Sequence, residues 1–522
     1  MRKIFMIIIP ATVLSLVSAS VFAQAPQVVS TVPAQNERNV ADSTDISVTF
    51  DTDMDPASVN DSTFVVNGMS TGLHGGTITY DSLTKTATFN PAENFASGEI
   101  ATAVLTEEIR SVGGVPLESG FAWSFTMAAG EASSIFADHT DYGAGARPLS
   151  VFAADLDGDG DLDLAAANSN SDNISVLLNN GNAIFPAHAV YAAGFFPVSV
   201  FGGDFDGDGD LDLATANFNS NNVSVLLNNG DATFAAQTGY TVGFTPASVF
   251  AADFDGDGNL DLATGNFSSS NISILLNNGD GSFAAQMVYD AGPYPFSIYA
   301  ADLDGDGDLD LTVANMDISD VSVLLNNGDG TFATRTVYTA GYIPVSVSNA
   351  DLDGDGDMDL ATANAGSNNV SVLLNNGNGT FSAQNVFAAD STPGFITTAD
   401  FDGDSDLDLV ATNSNSDNVS ILLNNGDATF APQTAYATGS TPGTVFAADL
   451  DGDDDLDLAI ANLNSNNVSI LLNKAGGCDY VTGDVNGSGN YNGLDITYGV
   501  SYFKGGGDPM CEDCALCPGW WY

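Results

Sequence analysis

The sequence predicts an all-β chain: an Ig-like β-sandwich, then a seven-bladed β-propeller, then a small EF-hand-like C-terminal tail. Three observations carry this expectation. A nine-residue string of the form DxDGDGDxD occurs seven times at a constant spacing of 49 residues, beginning at Asp155, Asp204, Asp253, Asp302, Asp351, Asp400 and Asp449. Each period holds four short strand-like segments separated by turn residues, and a period near 50 with four strands fits one propeller blade. Upstream of the array the composition changes, and most of the chain's few basic residues are found there.

The elements follow in chain order. Met1 to Ala23 carries Arg2 and Lys3, an apolar core from Ile4 to Val17, and Val21-Phe22-Ala23 before Gln24, the layout of a secretory signal peptide. A membrane anchor is disfavoured because the apolar run is short and Pro10 interrupts it. The chain is therefore expected to be secreted, to an extracellular or cell-surface location.

Residues 24–128 alternate in Ile46-Ser47-Val48-Thr49-Phe50, Thr77 to Tyr80, Ala87 to Phe89 and Trp123 to Thr126, which predicts strands of a small sandwich. With Pro33, Asn39-Val40, the stretch from Phe50 to Pro56, Asn90-Pro91 and the closing Gly120 to Phe125, this segment resembles a bacterial Ig-like domain. The resemblance implies a spacer. Residues 129–134 read as a linker.

Residues 135–477 are expected to form the propeller. A single blade cannot bury both of its faces, so blades stack radially. In the second copy the segments are Val198 to Phe201, Leu211 to Thr215, Val223 to Leu227 and Thr233 to Tyr240. The fourth segment recurs at Ile135, Ile184, Thr233, Ser282, Thr331, Thr380 and Thr429, so one copy precedes the first acidic loop and the last repeat lacks its own. Ile135 to Tyr142 should then supply the outer strand of the last blade and close the ring.

Each acidic string places carboxylates at positions 1, 3, 5 and 9 and a backbone carbonyl at 7, the oxygen spacing that Ca²⁺ takes in a tight loop. The candidate ligands in positions 1, 3, 5, 7 and 9 are Asp155, Asp157, Asp159, Asp161 and Asp163, then Asp204, Asp206, Asp208, Asp210 and Asp212. Next come Asp253, Asp255, Asp257, Asn259 and Asp261, and Asp302, Asp304, Asp306, Asp308 and Asp310. The last three sets are Asp351, Asp353, Asp355, Asp357 and Asp359; Asp400, Asp402, Asp404, Asp406 and Asp408; and Asp449, Asp451, Asp453, Asp455 and Asp457. About seven Ca²⁺ are expected in the propeller.

These loops, with the Ala-x-Ala-Asn that follows nearly every copy, make the chain resemble the FG-GAP/VCBS repeat family of integrin-α-like seven-bladed propellers. The resemblance implies that the loops join the two inner strands of each blade on one face and that ligands use the opposite face. Asn259 departs from the pattern harmlessly, since position 7 would ligate through its carbonyl. Ser405 and Asp454 stand at position 6, where the other copies have Gly, and must accept or avoid a positive φ.

Residues 478–522 hold a second kind of loop. Asp484, Asn486, Ser488, Asn490, Asn492 and Asp495 surround Gly489 in an EF-hand-like spacing for one further Ca²⁺. The loop resembles one half of a dockerin, and both an anchoring partner and an isolated appendage remain open readings. Cys478, Cys511, Cys514 and Cys517 read as two disulfides with three pairings, or as a metal site.

Composition then narrows function. The chain carries 67 acidic against 9 basic residues, a net charge of -58, and 35 of the acids lie in the seven loops. Seven divalent ions leave it strongly acidic, which makes nucleic acid and anionic lipid poor partners. Between Ser134 and Asn473 there is no Lys, Glu, Cys or Trp, and the basic or imidazole groups are His139, Arg147, His188 and Arg335. That is a poor catalytic inventory, so a non-enzymatic adhesion or ligand-binding protein is expected. A lectin and an accessory of polysaccharide degradation are the alternatives. The variable loops between blades suggest Phe195, Phe196, Phe244, Tyr294 and Tyr342 as an aromatic arc for an extracellular protein or glycan, with packing between blades as the competing role.

Overall fold

The computed structural model describes residues 25–130 and 132–475. The expected signal peptide, the EF-hand-like loop and the four cysteines lie outside the described residues. Apart from one 3-10 turn, Pro56–Ser58, the described secondary structure is β. Among these residues no helix is long and apolar enough to cross a membrane.

The N-terminal part is two four-stranded sheets. One runs in the order Val28–Val32, Ile46–Phe50, Thr86–Pro91, Gly76–Asp81, and the other Gly72–Leu73, Phe64–Gly68, Ile100–Leu105, Phe121–Thr126. Ile46, Val48, Phe50, Phe64, Phe89 and Trp123 fill the space between them. Sequence alternation marks three of the four strands of the first sheet, one face of which is wet, together with Phe121–Thr126 of the second, and passes over Val28–Val32 and Gly72–Leu73. It misses Phe64–Gly68 and Ile100–Leu105, whose burial is nearly continuous. The cause is a second apolar cluster of Val65, Val104 and Ala122 on the outer face of that sheet, which is covered as well.

Seven four-stranded antiparallel sheets follow. The first is Pro148–Ala154, Asp163–Asn168, Asn173–Leu177 and His188–Ala192, paired in chain order, and the next five repeat it. Every second strand is buried along its whole length, whereas fourth strands are exposed at half or more of their positions. The first strands of successive sheets pack on one another, and Pro148–Ala154 packs on Pro442–Ala448 of the seventh. Core clusters accordingly straddle neighbouring sheets, as where Leu164 and Leu177 meet Ala459 and Ile470.

The seventh sheet draws on both ends of the array, in the order Thr140–Gly143, Asn467–Leu471, Asp457–Asn462, Pro442–Ala448. Tyr142 pairs with Val468. The expected outer strand over Ile135 to Tyr142 is corrected in its extent. Ile135 belongs to a separate strand, Ala132–Phe136, paired with Asn473–Ala475.

The internal repeats show why one sequence segment becomes two structural pieces. Phe234 of the corresponding segment makes a single bridge to Asn228, and the paired strand begins only at Thr238. The aromatic anchors one sheet to its neighbour: Phe185, Phe234, Phe283, Phe332 and Phe381 meet Tyr142, Tyr191, Tyr240, Tyr289 and Tyr338 edge-on at 5.1 to 5.5 Å. Phe136 meets Tyr436 the same way at 5.3 Å, and the Tyr436 hydroxyl donates to the Ser134 carbonyl at 2.9 Å.

Candidate metal centres and the opposite face

Each acidic loop joins the first strand of a sheet to the second and folds around its own carboxylates. In the first loop, Asp155 Oδ1 accepts from Gly158 N at 2.8 Å and Oδ2 from Gly160 N at 3.1 Å, while Asp159 Oδ1 accepts from Asp161 N at 3.0 Å. Asp163 accepts from Leu156 N at 3.2 Å and from Asn179 N at 2.7 Å. Position 6 carries φ values of 91 to 95° in Gly160, Gly209, Gly258, Gly307 and Gly356, the left-handed region that suits glycine. Position-7 side chains such as Asp161 and Asp210 lie against the glycine of the next turn, Gly181 and Gly230.

What remains after these bonds is an oxygen at position 3. Oδ1 of Asp157, Asp206, Asp255, Asp304, Asp402 and Asp451 is buried with no hydrogen-bond partner. A buried, unpaired carboxylate oxygen is costly unless a cation meets it. The ligand atoms of Asp155, Asp157 and Asp163, of Asp204, Asp206 and Asp212, and of Asp253, Asp255 and Asp257 lie within 4.8 Å of one another. The same holds for Asp302, Asp304 and Asp306 and for Asp351, Asp353 and Asp355, with two further groups. All-oxygen, all-carboxylate sets of this kind fit a hard divalent cation.

The electrostatics agree. Burial pushes the position-9 carboxyls far up, to about 7 in Asp163 and Asp359, about 8 in Asp212, Asp310 and Asp408 and about 9 in Asp457. Asp261 is raised well above the usual range by the same cause. The loop carboxylates nearby raise these values further, and the two backbone N–H donors oppose the rise.

Ser405 and Asp454 adopt the positive φ of the glycines they replace, 75° and 70°. A side chain there costs on the order of 1 kcal/mol. Ser405→Gly is therefore expected to raise the unfolding free energy by about 1 kcal/mol, read by denaturant titration in calcium. An unchanged or lower midpoint would show that the serine is not strained.

The N-terminal sandwich is no free spacer, the role its resemblance implied. It lies on the loop-bearing face. Ala122 N donates to Gly307 O at 2.9 Å, Gly130 N to Asp454 O at 2.7 Å, and Asp155 N to Ser70 O at 3.1 Å. Asn36 Nδ2 reaches Gly356 O at 2.8 Å. Arg38 bridges two loops, with Nε 3.8 Å from Asp351 Oδ2 and Nη1 3.6 Å from Asp406 Oδ1. Met69, on the turn between Phe64–Gly68 and Gly72–Leu73, packs against the cluster of Phe152 and Leu211. Beneath it lies a cavity of about 130 Å³ lined by first-strand residues of all seven sheets, including Phe152, Phe201, Tyr299, Val347, Thr397 and Phe446.

Because strands alternate in direction, the turns before first strands and after second strands share the opposite face. Phe195, Phe244, Tyr342 and Tyr294 project there, 67, 66, 60 and 40 % exposed. Phe196 differs: it is half-buried and packs on Phe218, 6.1 Å between ring centres. The structure adds rings to the five expected, since Phe218 leads to Phe267 at 6.2 Å and Phe267 to Tyr294 at 4.8 Å. Their placement 49 residues apart, just after Ala-Asn or Gly-Asn, was the available signal. Phe196, Thr245, Tyr294 and Ile343 all have φ of 54 to 59° immediately before a proline. Side chains of the preceding sheet hold some of these turns, Asp172 Oδ1 accepting from Phe196 N at 2.9 Å and Asn221 Oδ1 from Thr245 N at 2.8 Å. The rings therefore stand on fixed backbone.

FG-GAP-like repeats match in six overlapping windows, 155–215, 204–264, 253–313, 302–362, 351–411 and 400–460, together more than half of the chain. The chain belongs to the FG-GAP-like repeat family. Its N-terminal residues 23–127 match the bacterial Ig-like domain family. No curated protein matches this FG-GAP-like chain significantly. Solved structures similar to it include an Agrocybe aegerita lectin that recognises non-reducing terminal N-acetylglucosamine, at 23 % identity, over 78 % of this chain and 96 % of that one, TM-score 0.42. A catalytically inactive virginiamycin B lyase from Staphylococcus aureus is similar over 65 % of this chain and 99 % of its own, at 14 % identity and TM-score 0.45.

Proposed function

We propose that this protein is a secreted, calcium-stabilised, seven-bladed β-propeller that binds an extracellular ligand for adhesion and catalyses no reaction on it. The observation that carries the calcium reading is the buried, unpartnered position-3 oxygen repeated in six of the loops. Asp155, Asp157, Asp159 and Asp163, with the Asp161 carbonyl, would hold the ion in the first loop, and their equivalents would do so in the others. The contact of first strands right round to Pro148–Ala154 against Pro442–Ala448 supports a closed ring of seven blades.

The ligand-binding reading rests on the free face. With the Ig-like module on the loop side, the rings of Phe195, Phe244, Tyr294 and Tyr342 are among the exposed apolar groups of the opposite side, displayed on pre-set turns. Exposed aromatic patches mark recognition surfaces, and pre-set loops lower the ordering cost of binding. A glycan or an extracellular protein is the proposed partner, the former making the protein a lectin.

Arrays of glycans and of extracellular proteins, run beside a polysaccharide-cleavage assay, test the whole reading. Binding without cleavage is expected, and cleavage would overturn it. Converting Phe244, Tyr294 and Tyr342 together to Ala should reduce retention on the array at least tenfold while the melting temperature stays within about 2 °C, since exposed side chains contribute little to the core. A triple variant that melts early yet still binds would move the site off these rings.

A further inference from the structure

We propose that calcium in the loops seats the Ig-like module on the propeller, so that the ion controls whether the module covers that face and stops the mouth of the central cavity. The proposal rests on the calcium reading above. Its basis is the way the module touches the loops. Ala122 N, Asn36 Nδ2 and Gly130 N meet the position-6 carbonyls of loops four, five and seven, those of Gly307, Gly356 and Asp454. Those carbonyls point outward because position 6 is held at positive φ, with its N–H on the first carboxylate of the loop, as from Gly307 to Asp302 at 3.1 Å. The module therefore reads the closed shape of the turn, which an ion at the loop centre sets.

The sign follows from charge. Residues 25–128 carry 13 acidic and three basic side chains, and they face loops bearing 35 aspartates. Two acidic surfaces repel unless cations intervene. Arg38 supplies one fixed positive charge between loops five and six. Divalent ions in seven loops supply about 14 more, at two per site. Without them the loops repel the module and one another. Sites coupled in this way are reciprocal, so the seated module must also tighten calcium binding.

Hydrogen exchange of the full chain, followed by mass spectrometry in calcium and in chelator, tests the idea, with bound calcium counted by equilibrium dialysis. In chelator, at a temperature where the chelated protein is still folded, the amides of Ala122 and Gly130 should approach the exchange rate of unprotected amides, while amides between Asp163–Asn168 and Asn173–Leu177 and within the Ig-like core, though faster than in calcium, stay at least tenfold slower than these two. Unchanged exchange at Ala122 and Gly130 with the loops shown to fill would overturn the proposal and leave the calcium reading intact. Blade amides that become as exposed as those of Ala122 and Gly130 would also overturn it, because calcium would then act on the whole propeller fold and not on the seat in particular. Failure to bind calcium would remove both readings. Gly120→Val provides a second arm: a methyl there would sit 2.6 Å from the Gly256 Cα. This variant should lose protection at Ala122 and Gly130 in calcium and bind the ion at least twofold more weakly. Unaltered calcium affinity in an unseated variant would show that no coupling exists.

Discussion

Chelating calcium from the purified protein is expected to lower its melting temperature by about 10–15 °C at pH 8. At a free concentration ten times the dissociation constant each filled loop contributes about 1.4 kcal/mol by mass action, so seven loops contribute about 10 kcal/mol. Divided by an unfolding entropy of about 2.1 cal/mol/K per residue over the repeats, that gives the stated shift. The pH dependence has a definite sign. Six of the position-9 carboxyls sit at about 7 to 9 in the metal-free fold, and Asp261 is raised in the same direction, against about 4 in an unfolded chain. The fold then binds more protons than the unfolded chain, so metal-free stability is fullest below pH 4 and is lost as pH rises through 7 to 9. Calcium needs the ionised form, so its contribution grows over the same window. Scanning calorimetry at pH 5.5 and 8.5 should therefore find a small calcium effect at the first and a large one at the second. A chelated protein whose melting temperature does not fall between those two values would contradict the account of buried carboxylates.

The second large effect concerns the seventh sheet. Phe136→Ala should cost about 3–5 kcal/mol, the range for emptying a buried aromatic site. Phe136 is 5 % exposed and touches Phe401 and Tyr436. Deleting residues 135–142 removes that ring and most of the strand paired with Asn467–Leu471, leaving an open edge that invites association. Light scattering should show aggregates of the deletion variant at concentrations where the parent is monodisperse. Ile135→Ala is the control, because Ile135 is 57 % exposed and its loss should matter by less than about 0.5 kcal/mol. A monodisperse deletion variant with parental stability would place the closure elsewhere.

The sequence reveals the repeat, its loop carboxylates and the strand order within a repeat, because these rest on residue types with one strong local preference. Asp at alternate positions around glycine has few other uses, and runs such as Val223 to Leu226 have one buried destination. The segment Thr233 to Tyr240 misleads because its aromatic bridge and its strand alternate in phase, although Phe234 belongs to a turn and only Thr238–Thr241 to the sheet. Phe64–Gly68 escapes the pattern because the module is covered on two sides. The seating of the module is not legible at all. Its backbone contacts end on glycines and carbonyls that no side chain announces, and the side chains that join them, Asn36, Arg38 and Met69, follow no repeat or motif. Phe218 and Phe267 were legible by period alone and join the exposed rings through packing.

Thr140–Gly143 waits for a partner strand roughly 320 residues further along the chain. A polypeptide emerging from its N-terminal end must carry that strand unpaired while six sheets assemble behind it, and pairing across so long a separation is slow. Translation errors or proteolytic nicks that remove the last repeat would leave both the strand and Phe136 without a home. The stitch thus works as a completeness check on biosynthesis: a full-length repeat array closes, and a shortened one presents two open edges to whatever quality-control machinery surveys newly made chains.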